Sequence, residues 1–282
     1  MTDAAFPTYR RPKGVGLVRA YVAASAGIVR RDAAVRWSYR GSLVSQNVGI
    51  IFSLALFYYL SKLIRVAPFT TPAQYFAFAV VGIIIFGIVR SSVALPSGVR
   101  QELVAGTYER LVLSPFGGTA ATASLAIFPV LYSLAVAAIE LGLAVVIFGV
   151  HIHWATAALA LPLGFAGAFA FAPFALVFAA ITLAFKQAPG QNAALAVISL
   201  ASGMYFPVAL LPWWLKWISE VQPFTPTVDL MRHVLIDFPM TESPAAALVK
   251  IAGFIIIGIP IGLRLVSLAG WWGRKHGTVV EY

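Results

Sequence analysis

From Leu141 to Phe185, and again from Gln187 to Leu215, the chain contains no Asp, Glu, Lys or Arg. A helix crosses the hydrocarbon of a bilayer with about 20 predominantly apolar residues. Uncharged stretches of this length are too long and too apolar to be core helices of a 282-residue soluble protein. Only 11% of the residues are charged, against about 25% in soluble domains. A soluble enzyme, a nucleic-acid-binding domain and a disordered chain are therefore excluded. Cysteine is absent, which removes disulfides and thiolate metal sites. Residues 1–40 carry eight Lys/Arg and no apolar h-region, so the N-terminus does not read as a signal peptide.

Hydropathy predicts an all-α polytopic membrane protein with six transmembrane helices. Their expected limits are Leu43–Ile64, Ala73–Leu95, Ala123–Phe148, Ala155–Phe185, Gly190–Leu211 and Ala247–Leu268. The fourth is long and contains Pro162 and Pro173, so a tilt, a kink or a start outside the hydrocarbon is expected. Lys and Arg set the orientation. Of 20 such residues, fifteen fall on the side of the two termini and five on the other. The termini are therefore expected in the cytoplasm, and the excess of cations is a topology signal and an anionic-lipid contact rather than a nucleic-acid footprint. Tyr58, Tyr59, Trp154, Trp213, Trp214, Trp217, Trp271 and Trp272 fall near expected span ends, where amphipathic rings anchor.

This layout divides the chain into a cytoplasmic N-terminus (1–42), a six-span domain (43–268) and a cytoplasmic tail (269–282). In the first, Val18, Tyr21, Ser25, Ile28 and Val35 recur at helical spacing, with Arg19, Arg30 and Arg31 off that face. The pattern predicts an interfacial helix on the cytoplasmic leaflet. Asp32 and Arg36 intrude on its apolar side, which a turn near Asp32 or burial against a partner would accommodate.

Two segments stand apart. Residues 100–115 hold both charge signs in a chain that otherwise avoids charge. Gly106-Thr107 can end one helix and begin another with Thr107 as N-cap, Glu109 and Arg110 follow, and Ser114-Pro115 closes the segment. A short charged helix of this kind suits docking to a soluble protein, or is an ordinary connecting loop. Residues 207–238 are cut by Pro207, Pro212, Pro223 and Pro226 and carry Trp213, Trp214 and Trp217. The piece is too broken to span and too apolar for a free loop. It is expected as an external re-entrant helical hairpin beside a pathway.

Together these segments resemble the membrane (permease) subunit of ABC-2-type ABC transporters, mainly exporters. Glu102, Gly106-Thr107, Glu109, Leu111 and Ser114-Pro115 match that family's coupling segment, which also contains Arg110. Ser202-Gly203, Pro207, Leu211-Pro212, Pro223, Thr225, Asp229 and Arg232 match its second signature in order. The resemblance implies a dimer of permease subunits, a separate ABC ATPase subunit that grips the coupling segment, and a place in a bacterial inner membrane. It also implies outward movement of a drug, lipid or lipid-linked polysaccharide by alternating access. The chain has no G-x-x-x-x-G-K-[ST] and no Gly-Lys pair, so ATP and Mg are expected on the partner and no cofactor on this chain.

Glu140 lies within the third span, where a charge costs about 2.5–3.5 kcal/mol on insertion scales. Contact with substrate or proton, pairing with another span, and a neutral structural role all fit it. An ion-coupled secondary carrier using Glu140 is the alternative function. His151 and His153 lack a third ligand and make a weak metal site. Gly164, Gly167 and Ala168 suit close helix packing. Asp229 and Arg232, three apart, are expected to pair with each other or with the hairpin.

Overall fold

The computed structural model describes residues 15–64, 68–113, 118–187 and 190–275. Among these residues every regular element is helical. Ser114 and Pro115 lie outside the described residues, as do 1–14 and 276–282 of the terminal segments.

The first helix, α1 (Val15–Ser38), runs unbroken through Asp32 and stops at Tyr39, where α2 (Arg40–Leu63) begins. α3 (Pro72–Ser92) opens on a Thr71 N-cap whose hydroxyl accepts from the Gln74 amide at 3.3 Å, with Pro72 in the first turn. A break at Val93–Ala94 leads into α4 (Leu95–Val104) and then α5 (Tyr108–Val112). α6 (Gly118–Ser124) continues into α7 (Ile127–Phe148), which Gly149 ends at φ 69°. One turn, α8 (Trp154–Ala157), precedes α9 (Ala160–Phe185), and α10 (Gln191–Ala201) follows. Beyond a 3-10 turn at Val208–Leu210 come α11 (Trp213–Val221) and α12 (Phe224–Ile236). The last rod joins α13 (Pro244–Gly253), a π turn (Phe254–Gly258) and α14 (Ile259–Lys275).

Five rods are long and apolar enough to cross a bilayer: Arg40–Leu63, Pro72–Val104, Gly118–Phe148, Ala160–Phe185 and Pro244–Gly273. The expected fifth crossing is helical only over the 11 residues of α10. At 1.5 Å per residue that covers about half of a hydrocarbon core of about 30 Å. Composition there is apolar throughout, but the chain turns at Ser202-Gly203, with Gly203 at φ 75°. The long fourth candidate starts later than expected, because α8 is a separate turn and α9 begins at Ala160. Pro173 sits inside α9 without dividing it.

α3 is the axis of the fold. Phe76, Val80, Val81, Ile84, Ile85 and Ile88 are buried on all sides, against Leu134 of α7, Phe171 of α9 and Phe224, Val228 and Met231 of α12. A helix apolar all round has to be covered all round. α2 is the opposite case: only 11% of its apolar window is buried, and Val44, Phe52, Leu56, Tyr59 and Leu63 face outward. α9 and α14 pack through small residues. A methyl group on Gly258 would lie 2.5 Å from Pro173 Cγ, and one on Gly262 2.7 Å from Leu176 Cβ. Glycines one turn apart let two backbones approach where hydrophobic exclusion gives no help. Gly164 and Gly167 do the same against Leu134 and Thr227, at 3.0 and 2.5 Å.

Candidate functional site

The elbow between α4 and α5 is built by its backbone. Gly106 takes φ 65°, a left-handed conformation in which a side chain would be strained. The Thr107 amide donates to the Glu102 carbonyl at 3.0 Å and the Gly106 amide to that of Leu103 at 3.1 Å. These two bonds are the pair that closes a helix with a glycine just past its end. Thr107 occupies the N-cap position of α5 as expected, but its side chain does not cap that helix. The hydroxyl turns back and donates to Glu102 Oε2. The other carboxylate oxygen, Oε1, receives Arg31 Nη2 of α1 at 2.9 Å. Arg31 also donates from Nε to Asp32 Oδ1 at 2.8 Å. Glu102 is thus engaged inside the chain, and it joins the elbow to α1.

The inner side of the elbow is anchored. Leu95, Val99, Leu103 and Tyr108 are buried against Ala175, Leu176, Ala179 and Leu183 of α9 and Val266 of α14. The Tyr108 hydroxyl lies 3.0 Å from Thr122 Oγ1 of α6. The outer side is free of the fold: Val104 and Leu113 are exposed, as are Glu109 and Arg110. The expected segment therefore divides into residues that hold the elbow (Glu102, Gly106, Thr107) and residues presented by it (Glu109, Arg110). Arg31 and Tyr108 were not picked out by sequence. Arg31 reads as one more cation of a basic helix, and nothing local pairs it with Glu102. Tyr108 lies between Thr107 and Glu109, and nothing in its immediate neighbours marks it as buried.

α1 presents Tyr21, Ser25 and Ile28 to the bundle, whereas Val18 and Val35, expected on that face, are exposed. The Tyr21 hydroxyl donates to the Ala120 carbonyl at 3.4 Å. The intruding Asp32 and Arg36 are accommodated without a turn. Asp32 holds Arg31, and Arg36 donates through Nη2 to Gln46 Oε1 of α2 and, at 3.1 Å, to the Tyr132 hydroxyl of α7.

The hairpin segment forms two short helices, and Arg232 fastens them. It is 1% exposed. Its Nε donates to the Phe78 carbonyl at 3.1 Å and its Nη2 to the Met204 carbonyl at 2.8 Å. Its guanidinium lies over the Phe78 ring at 3.3 Å. A cation on an aromatic face, with its donors on backbone oxygens, is a stable way to bury arginine. The expected pairing with Asp229 is peripheral: Nη1 stands 3.9 Å from Oδ1, while Asp229 Oδ2 accepts from Thr241 at 2.5 Å. Gly82 makes room, since a methyl group there would lie 2.3 Å from the Met204 carbonyl oxygen. Gly203 and Pro207 shape the turn before the 3-10 segment, Pro212 precedes α11 and Pro223 precedes α12. α12 is buried along nearly its whole length, whereas Trp213, Trp214 and Trp217 of α11 point outward and Leu215 and Ser219 inward.

Glu140 is half-buried on α7 and has no hydrogen-bond or ion-pair partner among the described residues. The described residues contain no group of three or more His, Asp or Glu able to hold a metal ion.

Residues 26–236 match the sequence profile described as ABC-2 type transporter, which covers well over half of the chain. No curated protein matches it.

Proposed function

The chain belongs to the ABC-2 type transporter family, a multi-pass membrane transport subunit of an ABC system, and from that premise we propose that it is the permease of an ATP-driven exporter. Two copies form the membrane unit, and a separate ABC ATPase supplies ATP and Mg. α1 lies along the cytoplasmic leaflet of a bacterial inner membrane with both termini inside. The hairpin of α11 and α12 re-enters the outer leaflet. The cargo is hydrophobic or amphiphilic: a drug, a lipid or a lipid-linked polysaccharide. Nucleotide-driven closure of the ATPase pair pushes on the elbow, and the membrane subunits alternate between inward and outward openings.

The observation that supports this reading is the two-sided elbow. A loop that merely connects helices needs no buried anchor and no presented rim. Here a rigid inner side holds an outer side of Val104, Glu109, Arg110 and Leu113 away from the bundle. Apolar side chains beside charges of both signs form the kind of patch that a protein partner covers. The outward apolar face of α2 supports a second copy or lipid against it.

The test is co-purification with the ATPase and transport in proteoliposomes. The double variant E109A/R110A is expected to lose ATPase association and nucleotide-dependent transport at least tenfold, at unchanged thermal stability. Full association and coupling in that variant would falsify the docking assignment. The ion-coupled alternative has one observation in its favour, the partnerless Glu140 within α7. It predicts transport without any ATPase and its abolition by E140Q. The exporter reading predicts nucleotide-dependent transport that survives E140Q.

A further inference from the structure

Where α1 meets the bundle, a groove of about 340 Å³ opens between α1, α2 and α7. One end is polar, formed by Arg36, Gln46, Asn47 and Tyr132. The other is apolar, formed by Ile50, Val136 and Ile139 along α2 and α7. We propose that this groove holds one anionic phospholipid, its phosphate on Arg36 and an acyl chain in the cleft between α2 and α7. The inference rests on α1 lying along the membrane surface and is independent of the ATPase partnership.

The charge balance of the groove asks for an anion. Arg36 spends Nη2 on two neutral acceptors, the Gln46 amide oxygen and the Tyr132 hydroxyl. Tyr132 in turn donates to Gln46 Oε1 at 2.6 Å. Arg36 Nε is buried and has no acceptor. No carboxylate reaches the guanidinium among the described residues: Asp32, one turn earlier, is held by Arg31 at 2.8 Å. Glu140 shares a stripe of α7 with Tyr132 and Val136, but stands two turns from Tyr132, about 12 Å along the axis. A guanidinium fixed by two neutral partners is therefore uncompensated and already oriented, its ring-facing side stacked 4.7 Å from the Tyr132 centroid. Such a group recognises phosphate through charge-assisted hydrogen bonds, with little ordering left to be done.

The shape of the groove asks for an amphiphile. Below the polar end the wall carries no hydrogen-bonding side chain, so a free phosphate would leave it empty. Trp37, 69% exposed, lines the groove, and Tyr39, 66% exposed, follows in the turn between α1 and α2. Such rings settle at headgroup depth, which places Arg36 level with lipid phosphates. Phosphate at the guanidinium and hydrocarbon against Ile50 and Ile139 satisfy both ends at once.

The test is native mass spectrometry of the detergent-purified protein titrated with phosphatidylglycerol, phosphatidylcholine or glycerol 3-phosphate. One phosphatidylglycerol per chain is expected to bind more tightly than phosphatidylcholine, and glycerol 3-phosphate is expected not to displace it. R36Q is expected to weaken phosphatidylglycerol about tenfold, the loss of one charge-assisted contact. R40Q, in the exposed first position of α2, leaves it unchanged. Y132F removes a hydroxyl but no charge and is expected to keep affinity within about threefold, which separates the charge from any loosening of α1. A135W fills the cleft and is expected to weaken both lipids together. Equal binding by R36Q and the parent protein overturns the proposal, and displacement by glycerol 3-phosphate reassigns the groove to free phosphate. The chain has no cysteine, so a spin label at V22C reports the depth of α1 on its own. A label at headgroup depth without lipid retention sinks the lipid site alone, and a label in bulk water sinks the surface-helix reading with it.

Discussion

Arg232 shows how one buried cation positions an element mainly through backbone carbonyls, with its ion pair to Asp229 at the edge of the contact. Its two carbonyl partners come from α3 and from the turn after α10, so α12 is tied to both through a single side chain. Truncation strands the Met204 carbonyl, whereas the Phe78 carbonyl keeps its helical bond within α3. At about 1–3 kcal/mol for an unsatisfied buried group, R232A is expected to cost at least about that much. That loss appears as a drop of several degrees in the melting temperature in detergent, with early proteolytic cleavage between α10 and α12. R232K keeps the charge but offers no planar fork for two carbonyls and a ring, so it is expected to fall between R232A and the parent. A melt unchanged in R232A would show that the hairpin is held by α12's apolar packing alone. The signature match singled out Arg232 from the sequence, and spacing suggested Asp229 as its partner. That pair is present, at 3.9 Å, but the carbonyl partners that hold Arg232 more closely were not legible, because backbone carbonyls carry no sequence signal and Phe78 lies in a different helix.

Among the elements, the α9–α14 pair is where backbone contact decides stability. Gly258 faces the Pro173 ring and Gly262 faces Leu176, both closer than a methyl group tolerates. Gly253, in the same rod, has nothing within 4 Å of where its Cβ would be. The same substitution should therefore act in opposite directions. G258A forces the helices apart and is expected to cost about 1–3 kcal/mol, the range for overpacking. G253A relieves the entropy of a helical glycine and is expected to gain roughly 0.5–1 kcal/mol. Thermal melts of the two variants side by side check this, and equal shifts would refute the close contact. The crossings themselves were largely legible from charge-free runs, since lipid requires apolar residues whatever the packing. The shortness of α10 was not, because hydropathy measures composition and its helix ends on the conformation of Ser202-Gly203. The break at Gly106-Thr107 was legible, while the turning back of the Thr107 hydroxyl depended on Glu102 being already engaged by a distant helix.

On the scale of the whole molecule, the elbow is the junction of three bodies. Its buried side moves with α9 and α14 through Leu103, Leu183 and Val266, and α4 continues the rod of α3. Its polar tie to α1 among the described residues is the Arg31–Glu102 pair, with Arg31 half exposed, beside the packing of Ile28 against the same buried cluster. A push on the rim therefore reaches the central rods through extensive packing, but reaches α1 through one apolar contact and a solvent-weakened ion pair. Such pairs contribute at most about 1 kcal/mol, a factor of about five in an equilibrium. In reconstituted vesicles, E102Q is accordingly expected to keep ATPase binding and hydrolysis while lowering transport per ATP by up to about fivefold. If α1 and the elbow travel as one body, a covalent tether in place of the pair restores what E102Q loses. The absence of native cysteine makes R31C/E102C joined by a short bis-maleimide the direct form of that experiment. Recovery of coupling on cross-linking, reversed when a cleavable linker is cut, is the expected result. A tether that arrests transport instead would mean that α1 slides against the elbow in each cycle, and that the ion pair breaks and reforms as part of the stroke.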